Sequence, residues 1–201
     1  MRSVERALLA ASAGRTGVQV TISRDPDFIA RADKVVMPGQ GGFGDCARAL
    51  GKGHGSLASS LREQIARGTP FLGICLGLQV LFHTSEEACD CEGLGLFDGT
   101  VVRLAGGIDP LTGLALKIPH IGWNVVTPGS TPSWLPPEPA HFYFVHSYVV
   151  SPKDPAIIAS TTDYGGSLVS AVVKDNVFAC QFHPEKSQRA GLALLERFVA
   201  S

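Results

Sequence analysis

Cys75 is the residue whose setting most clearly suggests chemistry. It lies in the apolar segment FLGICLGLQVLF (71–82), with Gly73 two residues before it and Gly77 two residues after it. The pattern Gly-x-Cys-x-Gly, at the junction of a predicted strand and a predicted helix, matches the nucleophile elbow, in which glycines avoid collisions across a sharp turn. Such a turn lifts the sulfur out of the sheet and places it near a helix N-terminus, where the helix dipole favours the thiolate. The alternative is a buried cysteine that only packs.

A thiol nucleophile requires a base, and His183 has the most suggestive setting of the six histidines. The segment CQFHPEKS places it at the end of an apolar strand, and α/β sites gather at the carboxyl ends of parallel strands. Pro184 ends that strand, and Glu185 is near enough in sequence to fix the tautomer of the imidazole. We therefore predict a Cys75–His183–Glu185 triad. A capped loop is the alternative for the His-Pro-Glu segment taken alone.

Two further segments contain residues of chemical interest. MPGQGGFGD (37–45) follows a predicted strand, and its glycines leave several backbone amides available to an oxyanion. It lacks the Gly-Lys-Ser/Thr of a phosphate-binding loop. Cys89 and Cys91 lie near His83, but without a second cysteine pair they are weak evidence for a metal. No metal site and no cofactor are predicted.

The elements that position these residues follow from the hydrophobic pattern. Strands are predicted at 18–23, 34–39 and from residue 70, with helices at 4–11, at 60–68 and starting at residue 76. Their alternation predicts an α/β fold with a doubly wound, mostly parallel sheet. From residue 100 onward, strands separated by turns predict an antiparallel extension on the same core, and a helix over 188–200 closes the chain.

Composition limits the possible functions. The 201 residues suffice for one domain, and 45% hydrophobic and 17% charged residues are typical of a globular protein. A formal net charge of −1 gives no strong attraction to nucleic acid or to a membrane surface, and neither is predicted as a partner. No apolar stretch is long enough to span a bilayer, and there is no signal-peptide pattern. The odd number of cysteines, five, suggests reduced thiols and a cytoplasmic location.

Five segments, GICLGLQ, PGQGGFGD, PHIGWN, YFVHSY and QFHPEKSQ, together resemble the class I glutamine amidotransferases, in the right order along essentially the whole chain. PHIGWN and HPEKS are most similar to the glutaminase subunits of imidazole glycerol phosphate synthase, which act in histidine biosynthesis. The resemblance implies a flavodoxin-like fold and hydrolysis of glutamine to glutamate and ammonia. In that reaction Cys75 attacks the side-chain amide, His183 transfers protons and Glu185 orients His183.

The same resemblance implies roles for other residues. Backbone amides of Leu76, Gln40 and Gly41 would hold the oxyanion. Glutamine would be held by a further set of residues, namely Gly39, Gly41, Gln79, Glu87, Ser147 and Tyr148. Ammonia would pass to a cyclase subunit of (β/α)8 fold in a heterodimer, with Trp123, Tyr143 and Lys186 near the interface. Core packing is the alternative for Trp123 and Tyr143.

Two features depart from the family pattern. Gln40 stands where many members have an apolar residue, which a loop that works through backbone amides tolerates. The family usually begins with a strand and a D-Y-G-x-G-N turn, whereas this sequence begins at Met1-Arg2-Ser3-Val4. We therefore expect a single amidotransferase domain over 1–201 that is N-terminally shortened and lacks the first, central strand of the sheet.

Other functions stay open at this point. The chain could be the glutaminase subunit of a synthase with a different acceptor, or an inactive scaffold or binding subunit. A cysteine hydrolase or a chaperone-like protein is a third reading, and PHIGWN counts against it. Glutamine hydrolysis with and without the cyclase distinguishes these functions, because a scaffold would bind without turnover.

Overall fold

The computed structural model describes residues 2–108, 112–129 and 134–201. The helices of these residues are α1 (Arg2–Ala11), α2 (Pro26–Ile29), α3 (Phe43–Leu50), α4 (Leu57–Ala66), α5 (Leu76–Gln79) and α6 (Gln188–Ala200). The strands are β1 (Val35–Gly39), β2 (Phe71–Cys75), β3 (Phe82–Ser85), β4 (Phe97–Arg103), β5 (His120–Pro128), β6 (Ala140–His146), β7 (Tyr148–Pro152), β8 (Ile158–Asp163), β9 (Ser167–Lys174) and β10 (Val177–Cys180). Across the described ranges, no helix is both long enough and apolar enough to cross a membrane.

The main sheet brings three strand ends to one edge. In the described residues its order is β1-β2-β10-β9-β8-β5-β6. β2 runs parallel to both β1 and β10, whereas the strands from β10 to β6 pair antiparallel. The predicted α/β sheet with an antiparallel extension is therefore confirmed. Because β1, β2 and β10 are parallel, the residues that follow them meet at the same edge of the sheet.

Helices cover both faces of this sheet, as the doubly wound pattern predicts. Phe71 faces the side on which α3 and α4 pack, whereas Leu72 and Ile74 face the side on which α1 and α6 pack. These three side chains of β2 are at most 1% exposed, which is the burial expected of a central parallel strand. β2 is therefore a rigid base for the residue at its carboxyl end, Cys75.

A second sheet of the described residues, in the order β3-β4-β7, adjoins the first. Its first strand, β3, cuts short the helix that the sequence predicts from residue 76 onward. α5 ends at Gln79, and the chain then turns because the carbonyls of Val80 and Leu81 accept hydrogen bonds from the amides of Leu94 and Leu96. Pairing with a later segment thus overrides the local helical pattern.

The predicted strand at 18–23 is wrong. These residues have no regular structure, and no strand of the described chain pairs with them. Val20 packs against the core, but Val18 and Ile22 are exposed. The segment has strand-forming composition, but a strand requires a hydrogen-bonding partner. β1 is the edge strand of the main sheet as described, and its outer side has no partner strand.

One predicted helix and one predicted loop need smaller corrections. The helix expected over 60–68 begins earlier, at Leu57, because the Ser56 hydroxyl accepts a hydrogen bond from the Ser59 amide and caps its N-terminus. The glycine-rich segment 37–45 is also only partly a loop, since α3 begins at Phe43. The helix over 188–200 has the predicted bounds.

Glycines allow β1 to approach the turn after β2 closely. A Cβ on Gly77 would overlap the backbone carbonyl of Met37 in β1, and a Cβ on Gly73 would lie 2.7 Å from the Gly77 carbonyl oxygen. A Cβ on Gly39 would lie 2.5 Å from the Leu76 Cβ. Any larger residue at position 77 must therefore push β1 away from Cys75.

We predict that Gly77→Ala lowers the free energy of unfolding by about 1–3 kcal/mol or more, the usual cost of overpacking. The matched control is Gly42→Ala, because a Cβ there would meet only the Glu87 carboxylate, at the ordinary contact distance of 3.6 Å. Urea unfolding of both variants measures the difference. Equal stabilities of the two variants would contradict the close approach of β1.

Candidate active site

The backbone of Cys75 has the conformation of a nucleophile elbow. Its φ of 55° and ψ of −108° lie in a region that residues with a side chain rarely adopt, at a cost of about 1–3 kcal/mol. The surrounding close-packed glycine backbone keeps the residue there. Cys75 is half-buried, so its sulfur lies at the edge of the sheet and not among the apolar core side chains.

His183 and Glu185 follow β10 at the same edge. Cys180, the last residue of β10, is paired with Ile74 in β2, so the chain after β10 passes beside Cys75. His183 Nδ1 lies 2.8 Å from Glu185 Oε1, and their side chains are only 3% and 2% exposed. A carboxylate in this place holds the proton on Nδ1 and leaves Nε2 free to act toward a neighbouring group.

The electrostatic setting of His183 favours its charged form. Burial lowers the pKa of His183, but its interactions with Cys75 and with Glu185 outweigh burial and raise that pKa to about 9. His183 Nε2 is buried and forms no hydrogen bond within the described residues. Imidazolium beside the sulfur stabilises the thiolate.

For two other buried histidines, the surroundings lower the pKa instead of raising it. Burial lowers the pKa of His120 to about 4. Burial is the main cause that lowers the pKa of His146 to about 4, with smaller electrostatic contributions from His120 and His183, although a hydrogen bond to the Tyr148 carbonyl opposes this. Both rings are therefore neutral at pH 7. A neutral ring with so low a pKa is a poor base for a thiol, so neither His120 nor His146 suits the part of a base beside Cys75.

The other cysteines lack a positive partner of this kind or lie outside the cavity. Burial raises the pKa of Cys46 to about 11. Burial, with the negative charges of Glu185 and Cys75, raises the pKa of Cys180 well above its usual range. Cys91 is buried and accepts a hydrogen bond from Arg48, and Cys89 is exposed. No group of three or more metal-ligating side chains occurs among the described residues.

A cavity of about 410 Å³ opens beside Cys75. Most residues predicted from the sequence line it, namely Gly39, Gln40, Gly41, Cys75, Leu76, Gln79, Glu87, Ser147, Tyr148, His183 and Lys186. These residues lie at or just after the ends of β1, β2 and β6. Others lie in α5, in the loop after β3 and in the segment after β10. A cysteine, a histidine and a glycine-rich loop thus meet at one small cavity, and acyl transfer through a thiol requires groups of these kinds in one place.

Comparison with known proteins identifies the family. Residues 2–201 match the family model described as glutamine amidotransferase class-I. The chain belongs to the class I glutamine amidotransferases. It is 45% identical over 206 residues to the imidazole glycerol phosphate synthase subunit HisH of Methylococcus capsulatus, covering 99% of this chain and 90% of that protein. The HisH subunit of Thermosynechococcus vestitus is 47% identical over 189 residues, covering 92% of this chain and 86% of that protein.

Solved structures resemble this amidotransferase in fold. A crystal structure titled glutamine amidotransferase superposes with a TM-score of 0.70 at 18% identity, covering 99% of this chain and 92% of that one. PurLQS from Thermotoga maritima gives a TM-score of 0.66 at 18% identity, covering 99% of this chain and 91% of that one. Identity this low supports the fold alone.

Within this amidotransferase site, Glu87 also shapes the loop after β1. Its Oε2 accepts a hydrogen bond of 2.7 Å from the Phe43 amide at the start of α3. The loop Gln40–Gly42 is therefore held between the end of β1 and a helix that Glu87 fixes. Gln79 is 5% exposed and donates from Nε2 to the Tyr148 carbonyl.

The three residues predicted near a partner lie together beside the cavity. Trp123 and Tyr143 are paired across β5 and β6, with ring centroids 6.1 Å apart in an edge-to-face arrangement. Lys186 Nζ lies 5.7 Å from the centroid of the Tyr143 ring and also lines the cavity. Trp123 is 47% exposed, so core packing does not account for it.

Two parts of the site differ from the sequence-based expectation. α5 has only four residues, so its dipole is smaller than the sequence-based argument assumed. The cavity also includes Pro119, Val145 and His146, which were not predicted as site residues. PHIGWN and YFVHSY contain them, but neither segment by itself says which side chains face the sulfur.

We predict that Cys75→Ser lowers the pKa of His183 from about 9, because the interactions with Cys75 are among those that raise it. Imidazole ¹⁵N NMR over a pH series measures this in the folded protein. His146 is the internal control, since its pKa of about 4 arises mainly from burial and should change little. A His183 pKa that stays near 9 in the serine variant would contradict the thiolate–imidazolium pair.

Proposed function

We propose that this chain is the glutamine-hydrolysing subunit of imidazole glycerol phosphate synthase. The observation that carries the proposal is that Cys75 and the buried His183–Glu185 pair meet at one cavity in a class I glutamine amidotransferase. The similarity of at least 42% identity to HisH subunits over nearly the whole chain selects the synthase. The substrate is glutamine and the products are glutamate and ammonia.

In the first step the Cys75 thiolate attacks the side-chain carbonyl carbon of glutamine. The carbonyl oxygen becomes an oxyanion, which we assign to the backbone amides of Leu76, Gln40 and Gly41. Loss of one such donor typically costs about 3 kcal/mol of transition-state stabilisation. His183 gives its Nε2 proton to the departing nitrogen, so ammonia leaves and a glutamyl thioester remains on Cys75.

In the second step His183, now neutral, takes a proton from water that attacks the thioester. The C–S bond breaks, glutamate leaves and Cys75 returns to thiolate beside imidazolium. Glu185 supports both steps because its contact with Nδ1 keeps the ring oriented and stabilises the imidazolium. Nε2 is the nitrogen that carries the moving proton in each direction.

The cavity suits a small amino acid. We assign the binding of glutamine to Gly39, Gly41, Gln79, Glu87, Ser147 and Tyr148, which all line it. Glu87 Oε2 already accepts a hydrogen bond from the Phe43 amide, and we assign Oε1 to the ammonium group of the substrate. A carboxylate is the natural partner for that charge.

The exposed face of β5 supports a protein partner. Ile121, Trp123 and Val125 alternate along this strand and are 58%, 47% and 37% exposed. A contiguous apolar strip of this kind marks an interaction surface, and it adjoins Lys186 at the cavity. We assign it to a heterodimer with a cyclase subunit of (β/α)8 fold in the cytoplasm, which receives the ammonia.

The test is glutamate release by the purified chain, alone and with the cyclase and its ligand. We expect slow hydrolysis alone and strong stimulation in the complex. Cys75→Ser should fall to background but still bind the cyclase, because it removes the nucleophile and keeps the shape of the side chain. Hydrolysis by the serine variant at the wild-type rate would contradict the nucleophile, and binding without any turnover by the wild type would indicate a scaffold.

A further inference from the structure

Gln181 contacts the reacting sulfur, and the reaction described above gives it no role. It directly follows β10, where its backbone amide donates to the Ser170 carbonyl at 2.8 Å. Its side chain is fully buried, and Nε2 donates to Cys75 Sγ at 3.5 Å. A buried amide is costly unless both its ends are satisfied, so the direction in which it points has a physical cause.

That direction is fixed by a backbone carbonyl. The Tyr148 carbonyl can only accept, so the Gln79 side chain must turn its NH2 group toward it, at 3.1 Å. The second proton of the same NH2 then donates to Gln181 Oε1, also at 3.1 Å. With Oε1 held by Gln79, Gln181 must present its own NH2 group to the sulfur of Cys75.

The carbonyl is itself held on its other side. His146 Nδ1 lies 2.9 Å from the Tyr148 oxygen and must donate to it. The neutral ring then accepts at Nε2, where His120 Nδ1 donates at 3.1 Å. Asn124 lies 3.3 Å from His120 Nε2 and completes the chain of donors. The low pKa values of both histidines, about 4, agree with two neutral rings in these tautomers.

Two contacts of the sulfur favour opposite protonation states. The Val145 carbonyl lies 3.9 Å from Cys75 Sγ and can only accept a proton from the thiol. The Gln181 amide can donate to the lone pairs of the sulfur, and such a bond strengthens when the acceptor becomes an anion. Gln181 therefore favours the thiolate, and Val145 favours the thiol.

We propose that Gln181 is a further catalytic residue, which stabilises the Cys75 thiolate by a hydrogen bond whose direction is set by Gln79 and the Tyr148 carbonyl. This inference rests on the proposed function, in which the thiolate attacks glutamine in the first step. In the second step the thiolate is the leaving group when the C–S bond of the thioester breaks. The same donor stabilises the sulfur at both points, while His183 gives and takes the proton.

The test measures ionisation of the sulfur without glutamine. The probe is iodoacetamide, which is uncharged and alkylates the thiolate, and the yield at Cys75 is followed by mass spectrometry of its peptide from pH 5 to pH 10. In Gln181→Met, which keeps the length and removes the donor, we expect the midpoint of the pH profile to rise by about one pH unit or more. In Gln181→Glu, which places a carboxylate oxygen at the sulfur, we expect a larger rise.

The matched control is Ser170→Ala. It removes a buried hydroxyl that bonds to Ser160 at 2.8 Å on the strand beside Gln181, and the midpoint should stay at the wild-type value. A wild-type midpoint in a folded Gln181→Met protein would overturn the proposal. Because alkylation needs no glutamine, this failure is distinguishable from failure of the proposed function, which the glutamate assay reports.

A measurement on the unaltered chain covers the case in which both variants fail to fold. In ¹⁵N-labelled wild-type protein, the side-chain amide resonances of Gln181 should shift across the pH range in which Cys75 ionises. They should lose that shift after Cys75 is alkylated. Amide resonances that do not respond to either change would overturn the proposal.

Discussion

One close backbone approach determines the geometry of the site. Gly77 in α5 packs on the Met37 carbonyl of β1, which sets the separation between the turn at Cys75 and the loop that follows β1. Cys75 can hold its unfavourable φ of 55° because buried, regular strands surround it and outweigh a local cost of about 1–3 kcal/mol. The glycine-rich loop lies beside the sulfur for the same reason, since Gly39 and Cys75 are direct partners in the parallel pair.

Local electrostatics gives the three buried histidines near the site very different pKa values. Three buried histidines lie near one another, yet the pKa of His183 is raised to about 9 while those of His120 and His146 are lowered to about 4. The difference comes from their partners. His183 has a buried carboxylate and a thiol beside it, whereas the other two have each other and backbone or amide groups. Environments that separate pKa values in this way assign the acid–base roles of a site.

The sequence pattern predicted those features that depend on neighbours in the chain. In Gly-x-Cys-x-Gly and in His-Pro-Glu, the residues that determine the local geometry are neighbours in the sequence. α6 likewise has an unbroken apolar periodicity. Features that depend on distant partners were missed or wrong. The segment 18–23 has strand composition but no partner strand in the described structure. Val80 and Leu81 leave the helix because the amides of Leu94 and Leu96 bind their carbonyls. The orientation of Gln181 depends on a carbonyl 33 positions earlier in the chain, so no local pattern indicates it.

The most direct test of the account is to trap the covalent intermediate. Wild-type protein in complex with the cyclase is mixed with glutamine, quenched in acid within the first turnover and digested, and the peptide that contains Cys75 is weighed. The account predicts a glutamyl group on Cys75 that forms and decays at rates compatible with turnover, and no such group on the corresponding peptide of Cys75→Ser. Rapid glutamate release with the glutamyl group on another residue, or with no covalent species at all, would contradict the assignment of Cys75 as the nucleophile.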